Sequence, residues 1–249
     1  TTSWSSNYRT TEDGLEARLI PFLADIDEDQ VLSLREAFRS TFFINKSNPK
    51  FGLSGGYANF RKKFLYTNGF EGRSDQEYTF SIRWNIARKY NIKLSSLSAQ
   101  RLNRSDYLQG RNYDISEYRL GPSFSWQPKP TVRIKGQFTA GVKQSSNSTE
   151  QPTSSNLNEV LTELKMGRAT SYMININLKY SRVSYNGNEL SPLGYEMLQG
   201  LRSGDNYSWL VGWQQKLIAG LQLNIYYEGR KPEGVKTIHS GRVSISALF

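Results

Sequence analysis

The sequence predicts an all-β chain, an antiparallel transmembrane β-barrel of about 11–12 visible strands, and three observations carry that prediction. Apolar and polar residues alternate with period two over runs that reach about ten residues. No stretch approaches the roughly 18 consecutive apolar residues that a membrane-crossing helix requires. The connections between the runs alternate short and long, as they do when strands cross a bilayer in pairs.

Composition agrees with each point. The mean hydropathy of −0.60 and an apolar fraction of 37% leave little for an oily interior. A barrel strand needs an apolar residue only at every second position, so its average hydropathy conceals it. Aromatic residues make up 13%, dominated by 15 Tyr and 12 Phe, which suits rings standing at both membrane interfaces and argues against disorder. The absence of cysteine removes disulfide scaffolds, zinc fingers and thiol catalysis together. The net charge of +10 is spread along alternating positions, with no basic block interleaved with aromatics and no helical reading motif, so nucleic acid is excluded as a partner.

Taken in order, residues 1–35 read as an extracellular loop or upstream segment, and 36–249 as the barrel strands. Within the first part, Trp4 and Tyr8 alternate weakly over 1–12, and 13–35 form a long loop with a short helix through Val31 and Leu34. Strands are expected near 36–45 and 51–60. Tyr78, Phe80, Ile82, Trp84 and Ile86 then form a clean apolar row against Glu77, Thr79, Ser81, Arg83 and Asn85. A strand near 91–101 follows, then the row Tyr118, Leu120, Phe124 and Trp126, and the row Val132, Ile134, Phe138, Ala140 and Val142. Beyond a strand near 158–167 come Ile174, Ile176, Leu178 and Tyr180, then Tyr207, Trp209, Val211 and Trp213, then Leu221, Leu223, Ile225 and Tyr227. The last row is Gly241, Val243, Ile245, Ala247 and Phe249, opposite Arg242, Ser244 and Ser246. These make about eleven strands.

Short connections fall near Asn48 and Pro49, at 88–91, 127–130, 167–170 and 218–220, and longer ones near 61–75, 102–115, 144–157, 186–205 and 229–236. Short turns belong to the periplasmic side, so the last strand ends there. An odd count ending in the periplasm makes the first strand begin outside. Either residues 1–12 supply another strand, or the chain is the C-terminal part of a larger barrel; parity favours the larger barrel. No signal peptide precedes Thr1, so the chain reads as processed or as a fragment.

A soluble sandwich also alternates, but its strands are shorter and its core would have to bury Arg83, Arg133 and Lys135, at prohibitive cost unless each is paired. A wet lumen accepts them. The row Val243, Ile245, Ala247 and Phe249 resembles the C-terminal signal that outer-membrane proteins present to the barrel-assembly machinery. The stretches Gly194-Tyr195-Glu196-Met197-Leu198 and 221–230 resemble the C-terminal barrel portion of large Bacteroidota envelope proteins. The resemblance implies the outer membrane of a Gram-negative bacterium, with surrounding lipid and lipopolysaccharide, the assembly machinery and other envelope proteins as partners.

Three constellations are candidates for chemistry. The inward face is basic: Arg83, Lys93, Arg119, Arg133, Lys135, Lys143, Lys165, Lys179, Lys216 and Arg242 outnumber Glu77, Glu117, Glu159, Glu163 and Glu228. Such residues favour anion passage, close into salt-bridge networks, or meet lipopolysaccharide phosphates at the rim. Asp25, Asp27, Asp29 and Glu36 have the 1, 3, 5, 12 spacing of a Ca2+ loop, but Gln30 stands where the turn wants glycine, and a solvated helix start explains them as well. His239 and Ser240 invite a lipid hydrolase, yet neighbours on a strand point to opposite faces. The expected function is a non-enzymatic barrel for solute passage or a membrane-embedded assembly subunit, with an outer-membrane lipid hydrolase as the alternative.

Overall fold

The computed structural model describes residues 1–10, 31–87, 89–146, 152–168, 170–217 and 220–247. Twelve strands lie in one sheet in chain order, every neighbouring pair antiparallel. They are β1 (Thr2–Thr10), β2 (Val31–Ile44), β3 (Phe51–Tyr66), β4 (Gly69–Ile86), β5 (Tyr90–Ser105) and β6 (Tyr113–Lys129), followed by β7 (Val132–Ser145), β8 (Thr153–Arg168), β9 (Tyr172–Tyr185), β10 (Gly204–Lys216), β11 (Leu221–Lys231) and β12 (Ile238–Ala247). A short α-helix, α1 (Pro192–Leu198), interrupts the β9–β10 connection. Strands β1 and β12 are the two edges of the sheet.

Residues 2–10 form a strand, the first of the two alternatives for that stretch, which makes twelve strands among the described residues. Two expectations are corrected. Val31 and Leu34 lie in β2, which begins five residues earlier than expected, and not in a helix. A strand wins there because β1 on one side and β3 on the other take up its backbone hydrogen bonds. The supposed long loop over 61–75 is strand almost throughout: β3 and β4 pair from Phe51↔Trp84 to Tyr66↔Gly69, leaving Thr67 and Asn68 as the turn. Gly69 has φ +124, and a Cβ there would meet the Asp106 side chain at 2.7 Å, so this turn requires glycine. The other connections fall where expected, short ones at one end of the sheet and 106–112, 146–152, 186–203 and 232–237 at the other.

The register fixes the two faces, because residues directly paired across antiparallel strands project to the same side. One line of pairs runs Tyr57, Tyr78, Ser98, Tyr118 and Val142. This face carries the expected apolar rows and leaves them in the open: Tyr118 is 60% exposed, Trp84 54% and Leu178 51%. Soluble proteins seldom expose so continuous an apolar face. From Tyr118 to Trp126, β6 travels about 27 Å, roughly 20 Å of height at a 40° tilt, close to the apolar band of a transmembrane barrel.

The opposite face is concave. Helix α1 lies over it and is reached by side chains from β4, β5 and β7. Leu193 and Met197, one helical turn apart, pack with Tyr113 and Ile115 into an apolar cluster, partly covered by Tyr185. The local sequence explains the helix: the Ser191 hydroxyl accepts from the Gly194 N–H at 2.9 Å, Pro192 opens the first turn, and Gln199 closes it in the left-handed region.

Candidate functional site

All eight basic residues assigned to the lumen, Arg83, Lys93, Arg119, Arg133, Lys135, Lys143, Lys179 and Arg242, project from the concave face by register. They divide into two groups by what they meet.

The first group surrounds α1. Arg73 on β4 binds Asp75 at 2.8 Å and reaches Glu196 of the helix at 3.4 Å. Arg101 on β5 contacts Glu77 at 3.3 Å, Glu117 at 3.2 Å and Glu196 at 3.8 Å. Arg119 pairs with Glu117. The Lys143 ammonium donates to the backbone carbonyl of Glu196 at 2.6 Å. Four cations and four carboxylates therefore balance, and Glu117 and Lys143 can be buried because each is met by opposite charge or an acceptor. The network fastens α1 across the mouth on the side of the longer connections.

The second group lies beyond α1, toward the short turns. Lys179 is held by Glu159 at 2.7 Å and Lys135 by Glu163 at 3.6 Å. Arg83 donates to the Asn48 carbonyl at 3.1 Å, and Arg133 donates to the Ser125 hydroxyl at 3.0 Å. Among the described residues Lys93 has no ion-pair partner, although its direct cross-strand neighbour is Arg83. Arg133 and Lys165 face each other in the same way. Like charges directly opposed cost stability, and water or a bound anion relieves that cost. Arg242 stacks on the Tyr226 ring at 5.2 Å.

Sequence reasoning missed Arg73, Arg101 and Glu196, the residues that seat the helix. Arg73 and Arg101 fell within or beside supposed loops, and Glu196 could have been found from the Ser191-Pro192 start and the Leu193/Met197 spacing.

The other sequence candidates stand apart from this face. Asp25, Asp27, Asp29 and Phe249 lie outside the described residues. Glu36 sits in β2 on the outer face with its carboxylate taken by Arg61 at 2.6 Å. Among the described residues no three His, Cys, Asp or Glu side chains gather as a metal site. Val243, Ile245 and Ala247 form the outward row of β12. His239 also faces outward: its Nδ1 lies 2.8 Å from the Tyr227 hydroxyl, and its ring stacks on Tyr227 at 6.0 Å and tilts against Trp209 at 5.8 Å. Ser240 faces inward opposite Glu228. The two cannot form a nucleophile and base. His239→Ala is expected to cost about 1 kcal/mol from lost ring contacts and to leave any phospholipid release unchanged, checked by thermal unfolding and fatty-acid assay.

No protein-family model matches the chain, and no curated protein sequence matches it. Among solved structures, the outer membrane channel DcaP of Acinetobacter baumannii superposes at a TM-score of 0.52 and 10% identity, covering 97% of this chain and 70% of DcaP. The beta domain of the Bordetella autotransporter BrkA superposes at 0.39 and 10%, covering 87% of this chain and 91% of that domain. LpxR from Salmonella typhimurium gives 0.35 and 7%, with coverages of 86% and 88%. The likeness to DcaP is one of fold, and it agrees with the sheet itself: the chain has the antiparallel fold of a transmembrane barrel. The other two superpositions are too loose to argue from.

Proposed function

We propose that this chain is a non-enzymatic barrel of a Gram-negative outer membrane that passes small hydrophilic solutes and favours anions, with α1 narrowing its outer mouth. The observation that carries the reading is the unequal division of charge along the concave face. Around α1 the charges cancel. Beyond it, Arg83, Lys93, Arg133 and Lys165 have no carboxylate partner among the described residues, and the wall is positive where a solute would travel. Lipid and lipopolysaccharide meet the apolar outer face, and the β12 row Val243, Ile245 and Ala247 serves insertion by the assembly machinery. Planar-bilayer recordings across a KCl gradient are expected to give a reversal potential of the chloride-favouring sign; a potassium-favouring sign, or no conductance, rejects the proposal.

A second reading is favoured by one observation, the outer sides of β1 and β12, which have no strand partner among the described residues. Each edge offers a row of backbone groups to another envelope protein. In that case the chain is a membrane-embedded assembly subunit, and mild-detergent purification recovers a stoichiometric partner rather than the chain alone.

A further inference from the structure

Beside Gln199 and Leu201, which follow α1, the concave face lines a half-open cavity of about 560 Å³, within the range of small-molecule sites. Its charged lining is Lys93, Arg119, Lys179 and Glu159. Two of the three cations are already fixed, Arg119 by Glu117 and Lys179 by Glu159. Lys93 alone of the three presents an ammonium without an ion-pair partner among the described residues, and it is exposed to the cavity.

Beside Lys93 runs a wall of hydroxyls. Ser54 and Ser81 are hydrogen bonded to each other at 2.7 Å across β3 and β4, Ser95 donates to the Gly121 carbonyl at 2.9 Å, and Thr139 completes the row on β7. Gly121 keeps the wall open, since a Cβ there would stand 3.1 Å from the Ser95 hydroxyl. The arrangement is asymmetric, with a free cation at one place and several hydroxyls along the adjoining wall. A ligand complementary to it has one anionic end and a hydroxylated remainder. A dicarboxylate, charged at both ends, would leave the hydroxyl wall unused.

We infer that this cavity is a binding site for a sugar phosphate of monosaccharide size, its phosphate on Lys93 and its hydroxyls on the Ser54–Ser81–Ser95–Thr139 wall. The inference rests on the reading of the chain as a solute passage and specifies what that passage holds. Arg119 and Lys179 are already held by Glu117 and Glu159, so ordering of charged side chains on binding is confined to Lys93.

Calorimetric titration of the whole folded chain in detergent tests it, with glucose 6-phosphate, glucose, inorganic phosphate and succinate as probes. Glucose 6-phosphate is expected to bind at least about tenfold more tightly than any of the other three, and Lys93→Gln to weaken it by about tenfold or more, the scale of a charge-assisted hydrogen bond. Ser95→Ala is expected to weaken glucose 6-phosphate and leave inorganic phosphate unchanged. Lys93→Gln removes a charge facing Arg83, so it relieves repulsion and does not unfold the sheet. Absence of binding, succinate binding as tightly as glucose 6-phosphate, or full binding by Lys93→Gln overturns the inference. A chloride-selective barrel that binds none of the probes overturns the site and leaves the passage standing. A barrel that binds glucose 6-phosphate without conducting supports the site and removes the passage.

Discussion

Glu196→Ala is expected to increase single-channel conductance severalfold and to lower stability by about 1–2 kcal/mol, the reduced cost of breaking a charge pair beside a wet lumen. Arg73 of β4 and Arg101 of β5 reach the Glu196 carboxylate, and Lys143 of β7 reaches its backbone carbonyl. Without the carboxylate, two guanidinium groups from adjacent strands lose a shared anion and the helix loses its ion pairs, while Lys143 still meets the backbone carbonyl. Leu193 and Met197 still pack on Tyr113 and Ile115, so the sheet holds while the mouth widens. Bilayer conductance and thermal unfolding in detergent check both halves. Tyr195→Ala on the exposed side of α1 is the control, since that ring is 69% exposed and its loss is expected to alter neither quantity. Unchanged conductance in Glu196→Ala would show that α1 does not define the narrow part of the passage.

Ile176→Arg is the second large effect. Ile176 is near the middle of β9 and projects outward between Leu164 of β8 and Val211 of β10. A guanidinium at the centre of the apolar band costs about 2–4 kcal/mol. The next residue gives the internal comparison: Asn177 faces the concave side, paired with Glu163, and Asn177→Arg is expected to stay within about 0.5 kcal/mol of the parent. Urea titration of refolding into lipid vesicles separates the two. Equal losses would mean that the faces have been exchanged, and every inward assignment would change with them.

The contrast between those neighbours shows why so much of the fold was legible. Within the membrane band one face meets lipid and the other water, so alternation is written directly into Tyr78–Ile86, Tyr118–Trp126 and Ile174–Tyr180. Beyond the band the outer face no longer needs apolar side chains, and the pattern fades. Arg61, Lys62 and Lys63 of β3, and the polar run Glu71–Asp75 of β4, are strand with no alternation to reveal it, and they therefore resembled a loop. Strand β1 was half legible through the weak alternation of Trp4 and Tyr8. For the site, alternation put the basic residues it named on one face, passed over Arg73 and Arg101, and could not say which would be neutralised. Lys179 meets Glu159, and Lys93 meets no carboxylate among the described residues, because of register and of charges on other strands, and register is not a property of any one segment.

The bracing of the wall is uneven. Ion pairs and the helix cross-link β4 through β9, whereas β10, β11 and β12 are joined on their inner side by amides, hydroxyls and the Arg242–Tyr226 stack, and β12 is exposed along its whole length. Mechanically, one half is stiff and the other compliant. Strain imposed by a large solute or a laterally crowded membrane would be absorbed by hinging of the last three strands, so the cross-section would change like that of a cuff opening at its seam while the braced half keeps its curvature.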